Sequence, residues 1–171
     1  MAETPARDKI LQIISQNPGI HFREIQRMSG MAVGQAEYHL YQLEKSDKVI
    51  IKEDGNNRRY FLPDQGSLQD RKIIFYLRSS IPSRIIQSII RSGEIDSSKI
   101  LRGRKAKLEK IKKAIESMEK DGIISRKVVN GTDHIFLTDR DHVIKVIKRY
   151  RKGFIGTLEQ NLLSLLDESD S

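Results

Sequence analysis

The chain overlays on itself. Moved by 75 residues, Ile10, Leu11, Gln12 and Ile14 fall on Ile85, Ile86, Gln87 and Ile89, while Ile20 and Ile25 fall on Ile95 and Ile100. Val33, Ala36, Leu40 and Leu43 fall on Leu108, Ile111, Ile115 and Met118, with Glu44-Lys45 on Glu119-Lys120. One deleted residue near Gly122 and a compensating one in the following hairpin bring Phe61-Leu62 onto Phe136-Leu137. The matches are mainly apolar, which is what two copies of one small module share when only the core geometry is kept. Two modest cores also suit 171 residues at 37% hydrophobic and 32% charged better than one large sheet.

The first copy reads as three helices and a hairpin. Thr4-Pro5 is a helix start, a hydroxyl cap before a ring that fits the first helical position. Ile10, Leu11, Ile13 and Ile14 give that helix a buried face, and Asn17-Pro18-Gly19 ends it. A second segment, His21 to Met28, places Phe22, Ile25 and Met28 on one face, and Ser29-Gly30 breaks it. A third, Ala32 to Asp47, carries Val33, Ala36, Leu40, Leu43 and Glu44 along one stripe. Two strands, Val49–Glu53 and Arg58–Leu62, then flank the polar tip Asp54-Gly55-Asn56-Asn57. Two helices across a glycine turn, followed by a hairpin with a basic tip, is the order of a winged helix-turn-helix.

The residues resemble that family. Ile20-His21-Phe22-Arg23-Glu24-Ile25, Gly30, Glu37-Tyr38-His39-Leu40 and Leu43-Glu44 are similar to archaeal and bacterial winged-helix repressors of the ArsR/MarR-like kind, directly over about a third of the chain. The resemblance implies binding of duplex DNA. His21 stands where the family usually has a Ser or Thr cap, and Ala32 where a second is expected.

Gln65-Gly66-Ser67 marks a boundary, so residues 1–66 form the first module and 67–80 a connecting helix carrying Ile73, Ile74 and Leu77, interrupted by Pro82. Residues 81–138 form the second, diverged module. In it Asp96 caps the middle helix, Gly103-Arg104-Lys105 is the turn, and Asn130-Gly131 is a strong hairpin signal. Residues 139–171 hold C-terminal helices and an acidic tail, with Asp139 or Asp141 capping a basic helix of Val143, Ile144, Ile147 and Tyr150. Leu158, Leu162, Leu165 and Leu166 beyond it form an apolar stripe, expected to make a weak homodimer or to fold back on the chain. The expected fold class is α+β, mostly helical, with two winged helix-turn-helix modules in tandem, which resembles archaeal regulators that carry two in one chain.

Charge divides the copies. Residues 1–66 hold 9 Lys/Arg against 9 Asp/Glu, whereas 67–156 hold 22 against 10, a net of +12 that the four acids of residues 157–171 reduce to the overall +8. That surplus points to nucleic acid. On the third helix, Gly34, Gln35, Tyr38, His39 and Gln42 lie off the buried stripe, where Gln matches an adenine edge and Tyr or His a phosphate or base. Glu37 opposes phosphate but accepts from a cytosine amino group. The wing residues Asn56, Asn57, Arg58 and Arg59 suit phosphates or a minor groove, or else protect an edge strand.

In the second copy, Arg102, Arg104, Lys105, Lys107, Lys110, Lys112 and Lys113 surround the apolar face of Leu108, Ile111 and Ile115. Cations at a helix start oppose its dipole, an arrangement a bound phosphate relieves. Lysines supply affinity more than base choice. Glu109 is expected to pair with Lys105 or Lys113. Double-stranded DNA is the expected partner; a winged-helix protein–protein interaction module and a general nucleic-acid or RNA-binding protein are the alternatives.

The absence of cysteine excludes disulfides, thiolate metal sites and cysteine nucleophiles. His21, His39, His134 and His142 have no metal-ligand spacing, and no nucleophile elbow, phosphate-cradling glycine loop or paired-carboxylate motif occurs. No cofactor, metal or enzymatic activity is expected. With a polar N-terminus and no apolar run of membrane-spanning length, the expected location is the cytoplasm.

Overall fold

In a computed structural model of the protein, residues 4–55, 57–101 and 103–154 are described together with Leu158, Leu162 and Leu166, the backbone alone at Asp54 and Asn57. Asn56, Arg102, Leu165 and the acidic tail lie outside the described residues. The chain divides into two compact units, Met1–Phe75 and Tyr76–Ser171.

Unit one runs α1 (Pro5–Gln16), β1 (Ile20–His21), α2 (Phe22–Ser29), α3 (Val33–Lys45), β2 (Ile50–Asp54), β3 (Asn57–Phe61) and the start of α4 (Leu68–Leu77). Thr4 is the N-cap of α1, but its hydroxyl makes no capping bond; its carbonyl accepts from Arg7 and Asp8 instead. His21 occupies the N-cap of α2 with extended backbone, and its N–H donates to Glu24 Oε2 at 3.5 Å, the returning half of a capping box. Gly30 ends α2 in the left-handed region at φ +71°, which lets the chain turn into α3 within two residues. The strand order is β1-β3-β2, all antiparallel. The two-residue strand β1 escapes the sequence periodicity because it is too short to show alternation.

The core of unit one gathers Ile10, Ile13, Ile14, Ile20, Ile25, Leu40, Leu43, Val49 and Tyr60. Two residues assigned to buried stripes lie outside it. Val33, the first residue of α3, is 53% exposed, and Met28 is 41% exposed although Ile25 and Ser29 beside it on α2 are buried. Buried Gln65 donates from Nε2 to the Ile14 and Ser15 carbonyls and accepts the Leu62 N–H on Oε1. Ser67 and Asp70 cap each other reciprocally at the start of α4.

Unit two takes up the end of α4 and continues with α5 (Ser80–Ser92), β4 (Ile95–Asp96), α6 (Ser97–Ile100), α7 (Lys105–Lys120), β5 (Ile124–Val129), β6 (Thr132–Leu137) and α8 (Arg140–Arg149), closed by a 3-10 turn over Arg151–Phe154. Pro82 falls in the first turn of α5, where its missing N–H removes no helical bond. Strand order β4-β6-β5 repeats that of unit one. The registers repeat too: Ile20↔Tyr60 and Ile50↔Phe61 become Ile95↔Ile135 and Ser125↔Phe136, each moved by 75. No deletion near Gly122 is therefore needed. The apolar pair Ile123-Ile124 lines up with Lys48-Val49, not with Val49-Ile50, and only the side-chain pattern shifts.

Asp96 caps α6 by accepting from the Ser98 N–H, and Asp139, not Asp141, caps α8 through the His142 N–H. Asn130 and Gly131, at φ +51° and +78°, turn the second hairpin in two residues. Leu158, Leu162 and Leu166 are buried within the single chain, at 4, 0 and 4% exposure. These three residues of the stripe expected as a dimer surface are thus withdrawn from solvent.

Candidate nucleic-acid interface

An α-helix advances 100° per residue, so the core contacts Ala36, Leu40 and Leu43 define the inner side of α3 and leave Gly34 and Tyr38 on its outermost ridge. Gly34, Gln35 and Tyr38 are exposed, Tyr38 by 56%. His39 and Gln42 are half-buried, with the His39 ring edge-on to Tyr38 at 5.4 Å. Tyr41, not singled out by the sequence reading, is 57% exposed. Its spacing, three residues after Tyr38 and seven after Gly34, sets it on the same outer side of the helix and is the signal that could have marked it.

The other flank of α3 faces a cleft of about 800 Å³ lined by His21, Phe22, Arg23, Glu24, Glu37, Leu40, Tyr41, Glu44, Arg58 and Tyr60. It joins the first turn of α2, the middle of α3 and the wing strand β3. Arg58 lines this cleft beside Tyr60 and pairs with Glu44 at 3.8 Å. Burial pushes the Tyr60 phenol above its ordinary value, while Arg58 pulls it down. Arg23, exposed on the first turn of α2, is a cation the sequence reading passed over.

The wing does not present four groups at its tip. Asn56 and the Asn57 side chain lie outside the described residues. Arg59 is 3% exposed and donates from Nη1 to the Gly19 carbonyl at 3.1 Å. Its guanidinium stands 5.6 Å from the Phe75 ring, and its cross-strand neighbour Lys52 brings Nζ to 4.3 Å from the same ring. Strand alternation explains the correction: Arg58 and Arg59 point to opposite faces, and α4 covers the second. Arg59 is therefore buried within unit one and not displayed at the wing tip.

In unit two, Arg104, Lys105, Lys107, Lys110, Lys112 and Lys113 are all exposed, while Ile111, Ile115 and Met118 are buried. Helix α7 carries six lysines against three glutamates, whereas α3 has one lysine against two. Glu109 pairs with Lys112 at 3.8 Å, not with Lys105 or Lys113; the i,i+3 spacing brings those two side chains together. Glu119 accepts from Arg126 on β5, and this hydrogen bond holds its carboxyl below the usual range. His134 stands 3.3 Å from Glu94. Among the described residues, no group of three or more His, Asp or Glu is arranged to hold a metal ion, and no helix is long and apolar enough to cross a membrane.

Residues 4–74 match the family described as the N-terminal HTH domain, a stretch that stops one residue short of the end of unit one. Over 121 residues the chain is 26% identical to a protein of Methanocaldococcus jannaschii named as an uncharacterized HTH-type transcriptional regulator. The alignment takes in 71% of this chain and 30% of that relative, so the chain spans less than a third of its length. The chain is similar to archaeal helix-turn-helix regulators, as the residues from Ile20 to Glu44 imply.

Proposed function

We propose that this chain, with a helix-turn-helix domain over residues 4–74, is a duplex-DNA-binding transcriptional regulator in which unit one reads bases and unit two supplies phosphate affinity. The observation that carries the reading is the outer side of α3. Beyond the Gly30 turn it exposes Gly34, Gln35 and Tyr38, small and polar groups able to meet base edges. The M. jannaschii relative, named as a transcriptional regulator, supports the same reading.

Unit two adds the complementary property. The exposed lysines of α7 form a dense field with few glutamates among them, suited to displacing counterions from a polyanion. Arg104, Lys105 and Lys107 at the helix start are placed where a phosphate would relieve their opposition to the helix dipole.

Competition titrations of the full chain test this against its rivals. Duplex DNA should displace a labelled duplex at lower concentration than single-stranded RNA or an acidic polypeptide of equal charge. Stronger competition by RNA would make the chain a general nucleic-acid binder, and stronger competition by the polypeptide an interaction module.

A further inference from the structure

Three neighbouring residues at the start of α3 have no explanation within the chain. Val33, apolar and β-branched, opens the helix 53% exposed. Gly34 follows it in a helix, where glycine is less favourable than alanine. It is not among the glycines with positive φ, and a Cβ added there meets nothing within 4 Å. Neither backbone geometry nor packing therefore calls for glycine. Gln35 is exposed on the far side of it. At 100° per residue, Val33 and Gln35 flank the ridge on which Gly34 sits.

That arrangement fits a surface that comes close to the helix backbone at Gly34 and meets a methyl group on one side and an amide on the other. In the major groove the thymine 5-methyl is the apolar group, and adenine N6 and N7 pair with a glutamine amide. Guanine is ordinarily read by Arg or Lys, and the lone basic residue of α3 is Lys45 in its last turn. We propose that the first turn of α3 reads an A·T step: Val33 packs on a thymine methyl, Gln35 bonds adenine, and Gly34 lets the backbone approach. This rests on the duplex-reading role given to unit one above.

The test is selection of binding sites from a random duplex library with the full chain, followed by titration of the selected duplex with single thymines replaced by deoxyuridine. An A·T step should be enriched, and removing one thymine methyl there should weaken the wild type several-fold while leaving Val33→Ala unaffected. Gln35→Ala should lose the adenine preference beside it. Gly34→Ala should raise the thermal midpoint yet weaken the selected duplex by about tenfold. A selected site indifferent to every thymine methyl, or Gly34→Ala binding like wild type, overturns the proposal while leaving DNA reading intact. Failure to bind any duplex sinks both, and loss of self-association in Val33→Ala with unchanged DNA binding would make the patch a protein contact.

Discussion

Asp47 and Gly122, 75 residues apart, hold the same left-handed backbone, at φ +55° and +71°. Each follows the last residue capping its helix, α3 or α7, and in each case the next amide closes the same bond. Lys48 N–H donates to the Leu43 carbonyl at 2.9 Å, and Ile123 N–H to the Met118 carbonyl at 2.8 Å. The left-handed region costs an ordinary residue about 1–2 kcal/mol and glycine nothing, while Asp tolerates it better than most. Because a Cβ at Gly122 meets nothing within 4 Å, Gly122→Ala should cost about 1–2 kcal/mol from backbone strain alone. Asp47→Gly exchanges that strain for a looser unfolded chain and should change stability by less than about 1 kcal/mol. Urea unfolding of both variants decides this; an unaltered midpoint for Gly122→Ala would show that the turn relaxes freely.

Arg58 and Arg59 should part company on mutation. The Arg59 guanidinium is buried against the half-buried Phe75 ring and bonded to the Gly19 carbonyl, so Arg59→Ala removes a charged hydrogen bond and leaves a void beside that ring. A loss of roughly 2–3 kcal/mol is expected. Arg58 pairs with Glu44 across 3.8 Å with both side chains about half exposed, an arrangement worth no more than about 1 kcal/mol. Thermal melts should show a large drop for Arg59→Ala and a small one for Arg58→Ala. The reverse order would mean that the wing is held by the cleft pair and not by Phe75.

Helices and hairpins were legible because their signals are local: the spacing of Ile10, Ile13 and Ile14, the glycine at 30, the Asn130-Gly131 turn. What could not be read was set by tertiary partners. Nothing in Arg58-Arg59 says that one of two adjacent arginines lies under α4, since that depends on where Phe75 lands. Val33 continues an apolar stripe in sequence, yet the helix begins at that residue and leaves it outside the core. The strands β1 and β4 are two residues long, too short for a period-two pattern. On the candidate interface, the sequence correctly set Gly34, Gln35 and Tyr38 apart from the buried stripe, whereas the cleft beside Arg23 and Tyr41 needed three elements brought together.

Unit two should show a specific acid sensitivity. A hydrogen bond from Ser98 to the Asp96 carboxylate, and one from Arg126 to that of Glu119, hold both groups below their ordinary values of 3.8 and 4.5. A carboxyl depressed by folding contributes stability that is fully present above its unfolded value and is lost as pH falls through its folded value. Both contributions are therefore complete at neutral pH and disappear on acidification below 4.5 for Glu119 and 3.8 for Asp96. The melting temperature of Asp96→Asn and Glu119→Gln should lie below wild type near neutrality and converge on it in acid. A constant offset at every pH would show that the substitutions act by packing and not by proton linkage.

The division of labour between the units gives the last prediction. Each phosphate neutralised on B-DNA steepens the log–log dependence of affinity on salt by about 0.9, so six contacts give a slope of about −5. Lys110→Ala/Lys112→Ala/Lys113→Ala removes three exposed cations from α7 and should make the slope shallower by about 2–3, weakening all duplexes alike. Gln35→Ala or Tyr38→Ala removes no charge, so the slope should stay as it is while preference for a selected site over random duplex falls. The two effects are read in one experiment, a salt series of binding titrations on selected and random duplexes. If the lysine variant changed sequence preference and the α3 variants changed only the slope, the reading helix would be α7. A slope near zero in the folded wild-type chain would remove the electrostatic basis for nucleic-acid binding by unit two, because lysines in contact with phosphate cannot avoid releasing counterions.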